Sequence, residues 1–256
     1  MHGFTGHPAS FQKVLAQLPL QTRVICPVLL GHDGRDPDLA AEAAPDFQTA
    51  LDRLAAELRA AHLGPLHLCG YSLGARVALG LLVRHPELFS RATLIAVHPG
   101  LTDAEERRER AAADERWAEL LESQGLAEFL KKWAQQPLFN TQAALPAAVL
   151  AAQDAVRRRH SEKGLALALR VLGLAQMPDY TAALPTLHLP VRLVVGAHDA
   201  KFLALAERAA ALLPQAAVLP VPGVGHNVLL EAPDAVCAAL AAPPPPAPAG
   251  LPPRFT

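Results

Sequence analysis

A serine at position 72 lies in a sequence pattern that can activate its hydroxyl group. Residues 66–76 begin as a short apolar run, continue as Gly70-Tyr-Ser72-Leu-Gly74, and lead directly into a helical pattern. Glycines on both sides of a serine permit the tight strand–turn–helix geometry that raises the hydroxyl above the end of a sheet. Such a turn also aims the backbone NH of Leu73, at the start of the helix, at an anion bound beside the serine. The five-residue pattern also arises by chance, so its partners decide its meaning.

A catalytic serine needs a histidine that takes its proton and a carboxylate that fixes the histidine tautomer. An apolar run at 189–195 leads to Asp199, and a later apolar run leads into a glycine-rich loop that carries His226. Polar groups that follow parallel strands meet at one edge of the sheet, and the chain order serine, aspartate, histidine suits this geometry. We therefore predict Ser72, Asp199 and His226 as a catalytic triad. Asp199 is also placed to cap a helix predicted at 202–213.

The first residues supply a candidate for a second oxyanion donor. They read His2-Gly3-Phe4-Thr5-Gly6, and they resemble the segment that in serine α/β hydrolases follows the third strand and contributes a backbone NH, here that of Phe4. The strand expected before this segment does not precede it in the sequence, so either the start is truncated or the sheet lacks strands that usually flank this loop. We therefore expect a sheet without its usual N-terminal strands, with an unpaired edge and a Phe4 donor whose loop is tethered on one side only.

Alternating apolar runs and helical patterns predict an α/β fold, a mostly parallel sheet with helices on both faces. The predicted elements outside the middle of the chain are helices at 11–18, 46–62 (capped by Asp46), 75–83, 202–213 and 234–241, and strands at 22–29, 66–70, 92–97, 191–195 and 217–221. From 101 to 181 only helical patterns occur, the first of them capped by Thr102. A helical insertion ahead of Asp199 and His226 predicts a lid over the strand ends.

These patterns divide the chain into three parts. Residues 1–100 and 182–242 are predicted to form the core, and 101–181 the helical lid, with helices at 102–121, 126–133, 145–159 and 164–174. The proline-rich tail at 243–256 is predicted to be disordered, because proline suits neither a helix interior nor a central strand.

The composition is that of one large globular domain. The chain has 256 residues, 51% of them hydrophobic, and a formal net charge of −1. This charge gives no general attraction to nucleic acid or anionic membranes, and no apolar run reaches the length of a membrane span. The first residues carry no basic-then-apolar leader pattern, so a cytoplasmic location is expected. Cys26, Cys69 and Cys237 are predicted to be buried free thiols.

Arginines near the predicted serine suggest an anionic ligand. Arg76 follows Ser72 by four residues, so on a helix it lies one turn further along the same face and could hold a carboxylate. The alternative is an ordinary salt bridge to an acid of the lid or surface. The lid adds Arg107, Arg110 and the run 157–159, although charge runs on helices are usually solvated faces.

Several longer motifs resemble the MenH family, 2-succinyl-6-hydroxy-2,4-cyclohexadiene-1-carboxylate synthases of menaquinone biosynthesis. The resemblance covers residues 2–240 and rests on Gly-Tyr-Ser-Leu-Gly-Ala-Arg from 70, His-Pro-Gly-Leu from 98 with the arginine-rich run after it, Trp-Ala-Gln-Gln-Pro-Leu-Phe from 133, Gly-Ala-His-Asp-Ala-Lys-Phe from 196 and Gly-His-Asn from 225. It implies an α/β-hydrolase fold and a lyase that expels pyruvate from a small-molecule tricarboxylate, with neither cofactor nor metal. In this mechanism Ser72, deprotonated by His226, removes a ring proton.

The resemblance also implies which side chains bind the substrate. Matched residue by residue, these are Arg76, Arg110, Arg159, Tyr71, Trp133 and Lys201. Arg159 is placed by its spacing to Gly164 in a segment that departs from the family pattern, so Arg157 or Arg158 could take its role.

Two other functions fit the same residues. The triad and lid would equally serve a serine hydrolase of esters or carbon–carbon bonds, although a neutral ester needs no set of arginines. A non-catalytic binding protein could also retain the fold, although such a protein has no need of all three triad residues.

Overall fold

A parallel sheet forms the centre of the structure, a computed structural model that describes residues 1–37, 46–61 and 64–246. Within these residues the sheet has four strands, β1 (Leu66–Tyr71), β2 (Phe89–Ile95), β3 (Val191–Gly196) and β4 (Ala216–Val221), which lie side by side in chain order. Tyr71 is in register with Ile95, and Ile95 with Val194. The carboxyl ends of the strands therefore form one common edge.

Helices pack on both faces of this sheet. In chain order they are α1 (Gln12–Leu15), α2 (Phe47–Ala60), α3 (Leu73–Arg84), α4 (Ala104–Ala134), α5 (Ala147–Arg157), α6 (Glu162–Leu172), α7 (Ala200–Leu212), α8 (Val228–Glu231) and α9 (Pro233–Ala241). Helices α2, α3 and α7 share one apolar cluster with Leu94 and Leu193, whereas α1, α8 and α9 share another with Ile95 and Val194. Successive strand side chains point to opposite faces, so neighbouring residues of β2 and β3 belong to different clusters.

The inserted segment forms a helical layer of its own. Residues 101–181 consist of helices, 3-10 turns and loops, with α4 packed along α6 through a cluster that includes Leu121, Phe129 and Leu165. Gly125 interrupts α4 with φ 79° and ψ 170°, at the predicted break between the first two lid helices. The predicted cap at Thr102 is wrong, because Asp103 accepts the hydrogen bond from the NH of Glu106 (2.8 Å).

The predicted strand at 22–29 is not present as a strand. Residues 22–29 have no regular secondary structure, and among the described residues no strand runs beside them to complete a ladder. Val24, Ile25 and Val28 remain 39–47% exposed. The apolar pattern predicted a strand here, but strand pairing requires a neighbour that the local sequence does not supply.

The N-terminal helices differ from prediction in their boundaries. The predicted helix at 11–18 is divided between a 3-10 turn at Pro8–Phe11 and the single turn of α1. Helix α2 begins after Asp46, whose Oδ1 accepts a hydrogen bond from the NH of Thr49 (2.7 Å) as predicted. Its predicted last residue, His62, lies outside the described residues.

The start of the proline-rich tail is ordered against the sheet. The carbonyls of Pro243 and Pro245 accept hydrogen bonds from Arg192 and Gln215, and Pro245 is buried. The prediction of disorder is therefore wrong for 243–246, because these carbonyls satisfy side chains of β3 and the β3–β4 connection. Residues 247–256 lie outside the described residues.

The three cysteines are free and half-buried rather than fully buried. Burial raises the pKa of the Cys69 thiol to about 11, so this side chain is uncharged at neutral pH. No helix in the described part of the chain is long and apolar enough to cross a bilayer.

Candidate active site

Ser72 occupies a strained turn between β1 and α3. Its backbone has φ 51° and ψ −111°, a conformation that L side chains rarely adopt. A Cβ atom at Gly70 would lie 2.3 Å from the carbonyl oxygen of Gly74, and one at Gly74 would lie 2.4 Å from that of His2. The NH of Ser72 donates to the carbonyl of Ile95 (2.9 Å). The two glycines are therefore required by the close approach of the backbone around Ser72.

The side chains of Ser72, His226 and Asp199 are linked by two consecutive hydrogen bonds. Nε2 of His226 lies 3.0 Å from Oγ of Ser72, and its Nδ1 lies 2.7 Å from Oδ2 of Asp199. Because a carboxylate accepts, Nδ1 carries the proton and Nε2 is free to accept from the serine hydroxyl. Asp199 also caps α7, since its Oδ1 accepts from the NH of Phe202 (3.3 Å). The two roles considered for Asp199 thus coexist, one on each carboxylate oxygen.

Glu231, which the sequence did not single out, holds the loop that carries His226. Its carboxylate accepts hydrogen bonds from the NH of Gly225 (2.9 Å) and the NH of Asn227 (3.2 Å), on either side of the histidine. A Cβ at Gly196 would lie 2.0 Å from the carbonyl oxygen of Gly225, so β3 and this loop pack backbone to backbone. An acid five residues after the histidine is the only local signal of this contact.

Both residues predicted to supply oxyanion donors, Phe4 and Leu73, line the cavity that contains Ser72. Leu73 is the first residue of α3, so its NH has no acceptor within the helix. Phe4 and Leu73 therefore stay candidates for the two donors.

The loop of residues 1–6 is anchored on two sides. Along β1, the NH of Tyr71 donates to the carbonyl of Met1 (3.1 Å). On the opposite side, the NH of Leu29 donates to Nε2 of His2 (3.1 Å). The prediction of a loop tethered on one side only is wrong, because His2 also accepts a hydrogen bond from the backbone of Leu29.

A cavity of about 500 Å³ lies between the sheet edge and the lid. Its floor contains Ser72 and His226, and residues of α4, α5 and α6 contribute to its walls. One wall is aromatic: the rings of Phe4 and Trp133 pack edge to face with centroids 5.1 Å apart, and Trp133 stacks on Phe129 at 5.5 Å. Of the predicted binding residues, Tyr71, Trp133 and Lys201 all line this cavity.

Arg76 is a buried cation that forms no close ion pair with an acid of the described residues, although the charge of Asp114 acts on it from the same cavity lining. Only 8% of it is exposed, and one guanidinium nitrogen donates to the carbonyl of Leu172 (2.7 Å). Burial, together with the nearby charge of Arg110, lowers the pKa of Arg76 to about 9, so the group stays charged at neutral pH. A buried cation with unused donors favours an anionic ligand over the alternative of an ordinary salt bridge.

Arg110 reaches the same cavity from α4, held by an acid one helical turn further on. Its Nε donates to Oδ1 of Asp114 (2.9 Å), and Asp114 is buried. Asp114 was not predicted, although the spacing of four residues is that of a helical ion pair. Arg107 does not line the cavity: it donates to the carbonyls of Leu101, Ala175 and Met177 and so ties α4 to the core.

The third predicted arginine is misplaced by two residues. Arg159 is exposed and does not line the cavity, whereas Arg157 is buried, lines it and lies 5.7 Å from the ring centroid of Phe139. Arg158 is exposed and pairs with Asp154. Helix α5 ends at Arg157, and the next two residues are exposed. Of the three consecutive arginines, Arg157 is the one that lines the cavity.

Comparison with known proteins shows which family the chain belongs to. A sequence profile described as the alpha/beta hydrolase family matches residues 1–239. A protein of Enterobacter sp. (strain 638) named 2-succinyl-6-hydroxy-2,4-cyclohexadiene-1-carboxylate synthase is 36% identical over 241 residues, which cover 94% of this chain and 88% of that protein. The chain belongs to the MenH family of α/β hydrolases. It is therefore a MenH-type enzyme.

Further relatives support this membership. A synthase of the same name from Klebsiella pneumoniae (strain 342) is 34% identical, with 94% of this chain and 90% of that protein covered. The structure of MenH from S. aureus superposes with a TM-score of 0.89 at 26% identity, covering 94% of this chain and 90% of that one. An esterase from Thermogutta terrifontis has a TM-score of 0.75 at 23% identity, over 93% and 85% of the chains, and shows only that the fold is shared.

Proposed function

We propose that this protein is a carbon–oxygen lyase that eliminates pyruvate from 2-succinyl-5-enolpyruvyl-6-hydroxy-3-cyclohexene-1-carboxylate. The product is 2-succinyl-6-hydroxy-2,4-cyclohexadiene-1-carboxylate, the compound named in the relatives at 34–36% identity. The observation that carries the proposal is the set of three guanidinium groups, of Arg76, Arg110 and Arg157, around the cavity that contains Ser72. A substrate with three carboxylates matches this set in number, and the lining also contains the cation of Lys201 and the carboxylate of Asp114, which pairs with Arg110.

The electrostatics of the cavity favour such a ligand over a neutral ester. Arg76 and Arg157 are both buried, and burial lowers the pKa of each. Keeping a charged group out of water has a free-energy cost that a bound counter-charge offsets. A carboxylate can accept two parallel hydrogen bonds from a guanidinium, which also fixes its orientation. The arginines would thus hold the substrate ring above the serine.

Ser72 acts as a base in the proposed mechanism. His226 takes the serine proton at Nε2, and Asp199 stabilises the resulting imidazolium through Nδ1. The serine oxygen then removes a proton from the ring. The electron pair of that C–H bond moves through the conjugated system, and the bond between the ring and the enolpyruvyl oxygen breaks.

The remaining steps balance the proton and the charge. Pyruvate leaves as its enolate, and the proton held by His226 balances the reaction when the enolate becomes pyruvate. During this sequence, negative charge on a carbonyl oxygen of the substrate is stabilised by the NH groups of Phe4 and Leu73. Tyr71, Trp133 and Lys201 line the cavity and are assigned to substrate contact.

Release of pyruvate tests the proposal directly. The purified protein is incubated with the enolpyruvyl substrate, and pyruvate is measured with lactate dehydrogenase and NADH. Pyruvate formation that disappears in Ser72→Ala supports the lyase. Hydrolysis of simple aryl esters without pyruvate release favours the serine hydrolase, and neither activity favours a binding protein.

A further inference from the structure

Two imidazole rings hold the peptide groups of Thr5, the residue next to the proposed oxyanion donor Phe4. The NH of Thr5 donates to Nε2 of His32 (3.3 Å), and its carbonyl accepts from Nε2 of His160 (3.1 Å). Thr5 is buried and has φ 59°, which is unusual for a β-branched residue. A backbone in this conformation persists only when its surroundings enforce it, and here the two imidazoles supply the hydrogen bonds.

The imidazoles belong to a cluster of three histidines with defined tautomers. Nδ1 of His32 donates to the carbonyl of Leu30 (2.9 Å), and Nδ1 of His2 donates to that of Gly3 (2.9 Å). The rings of His2 and His32 are 4.9 Å apart, and those of His32 and His160 are 5.2 Å apart. Burial lowers the pKa of His32 to about 3 and also lowers the pKa of His2 and of His160. Uncharged rings can both donate and accept, as these contacts require.

His160 comes from the lid, in the turn between α5 and α6. It follows the cavity residue Arg157 by three positions. This turn and the first residues of α6 pack tightly on the core: a Cβ at Gly31 would lie 2.0 Å from the carbonyl oxygen of Gly164, and Ser161 donates to the carbonyl of Arg35 (2.8 Å). The end of α5 and the turn after it therefore position both Arg157, which lines the cavity, and His160, which binds the carbonyl of Thr5.

We propose that His160 is a positioning residue that couples the lid to the oxyanion loop, residues 3–5. Its Nε2–H fixes the carbonyl of Thr5, and through the Thr5 backbone it sets the direction of the Phe4 NH. The substrate arginine at 157 and the oxyanion donor at 4 are then placed by the same turn. The proposal rests on the oxyanion role assigned above to Phe4, and it assigns His160 no contact with substrate.

Three substitutions at 160 separate hydrogen bonding from packing. His160→Ala removes the ring, His160→Phe keeps a ring but has no donor, and His160→Gln restores an NH donor near the position of Nε2. His188 is exposed and serves as the matched control, as His188→Ala. Thermal unfolding is measured for each variant, so that the comparison is made between folded proteins.

The principal readout is the second-order rate at which a fluorophosphonate labels Ser72. This reagent places a P=O oxygen in the oxyanion position and does not depend on which substrate the enzyme uses. Loss of one oxyanion donor typically costs about 10² to 10³ in rate, and a misdirected donor is expected to cost about tenfold or more. We expect this loss in His160→Ala and His160→Phe, and recovery to within about threefold of wild type in His160→Gln.

Kinetics of pyruvate release provide the second readout. We expect kcat to fall in parallel with labelling while KM stays within about threefold, because the arginines are unchanged. Labelling of His160→Phe at the wild-type rate, or no recovery in His160→Gln, overturns the coupling. If wild type labels at Ser72 but releases no pyruvate, the lyase assignment fails while the labelling series still decides the role of His160.

Discussion

The sheet edge and the lid place their functional groups by different physical means. Ser72 is held by backbone atoms packed too closely for any side chain at the neighbouring glycines. Arg110 and Arg157 are held by side-chain contacts, the first with Asp114 and the second over Phe139. Main-chain packing fixes the position of Ser72, so a change there moves the reacting group. A side-chain contact in the lid can be removed without moving the other arginines. We therefore expect substitutions at the sheet edge to abolish the reaction and those in the lid to alter substrate binding.

The largest expected effect is at the serine. Ser72→Ala should reduce kcat for pyruvate release by about 10³-fold, because removal of a positioned base costs two to four orders of magnitude. The melting temperature should change little, since only a hydroxyl is lost from a half-buried site. Ser90→Ala, at an exposed serine of β2, is the control. Wild-type activity in Ser72→Ala would support a non-catalytic role.

A methyl group beside the serine should have the next largest effect, on both stability and rate. In Gly74→Ala the added Cβ would lie 2.4 Å from the backbone carbonyl oxygens of both Met1 and His2. We expect a loss of about 2 kcal/mol in the free energy of unfolding, and a fall in kcat of about tenfold or more, because the loop that carries Phe4 must move. Urea unfolding and pyruvate release measure the two effects. Gly64→Ala is the control, since a Cβ there meets nothing within 4 Å.

In the lid, the expected effect is on KM. Arg157→Gln should raise KM for the substrate by roughly 10- to 100-fold, since a charged hydrogen bond contributes about 1.5–3 kcal/mol. Because the guanidinium touches no reacting atom, kcat should fall much less. Arg159→Gln, two residues away and exposed, should leave KM unchanged. An equal effect of the two substitutions would contradict the assignment of Arg157.

The last prediction concerns stability alone. Acid should destabilise the protein at His32, whose ring lies between the loop of residues 1–6 and His160 of the lid. The pKa of His32 is lowered to about 3 by burial, from an unfolded value near 6.5. The unfolded state therefore binds more protons, so stability is complete above pH 6.5 and is lost as pH falls toward 3. At pH 5 the loss from His32 alone should be about 2 kcal/mol. Urea unfolding at pH 7 and pH 5 measures this loss, and equal stability at the two values would contradict it.

Local patterns predicted the parts of this protein whose geometry depends on near neighbours. The turn at Ser72 needs glycines two residues away on either side, and the caps at Asp46 and Asp199 need only the next helical turn. The order of Ser72, Asp199 and His226 along parallel strands was enough to expect them at one sheet edge. Residue spacing predicts these features because the interacting groups are close in the chain or follow successive parallel strands of one sheet.

Tertiary packing decided the rest. Three consecutive arginines have the same chemistry, and only the end of α5 over Phe139 selects Arg157. The segment 22–29 has the pattern of a strand but no neighbouring strand among the described residues. The hydrogen bond from His160 to Thr5 joins residues 155 positions apart. Residue spacing cannot predict such contacts, because the burial and the hydrogen-bond partners of a side chain depend on which distant segment packs beside it.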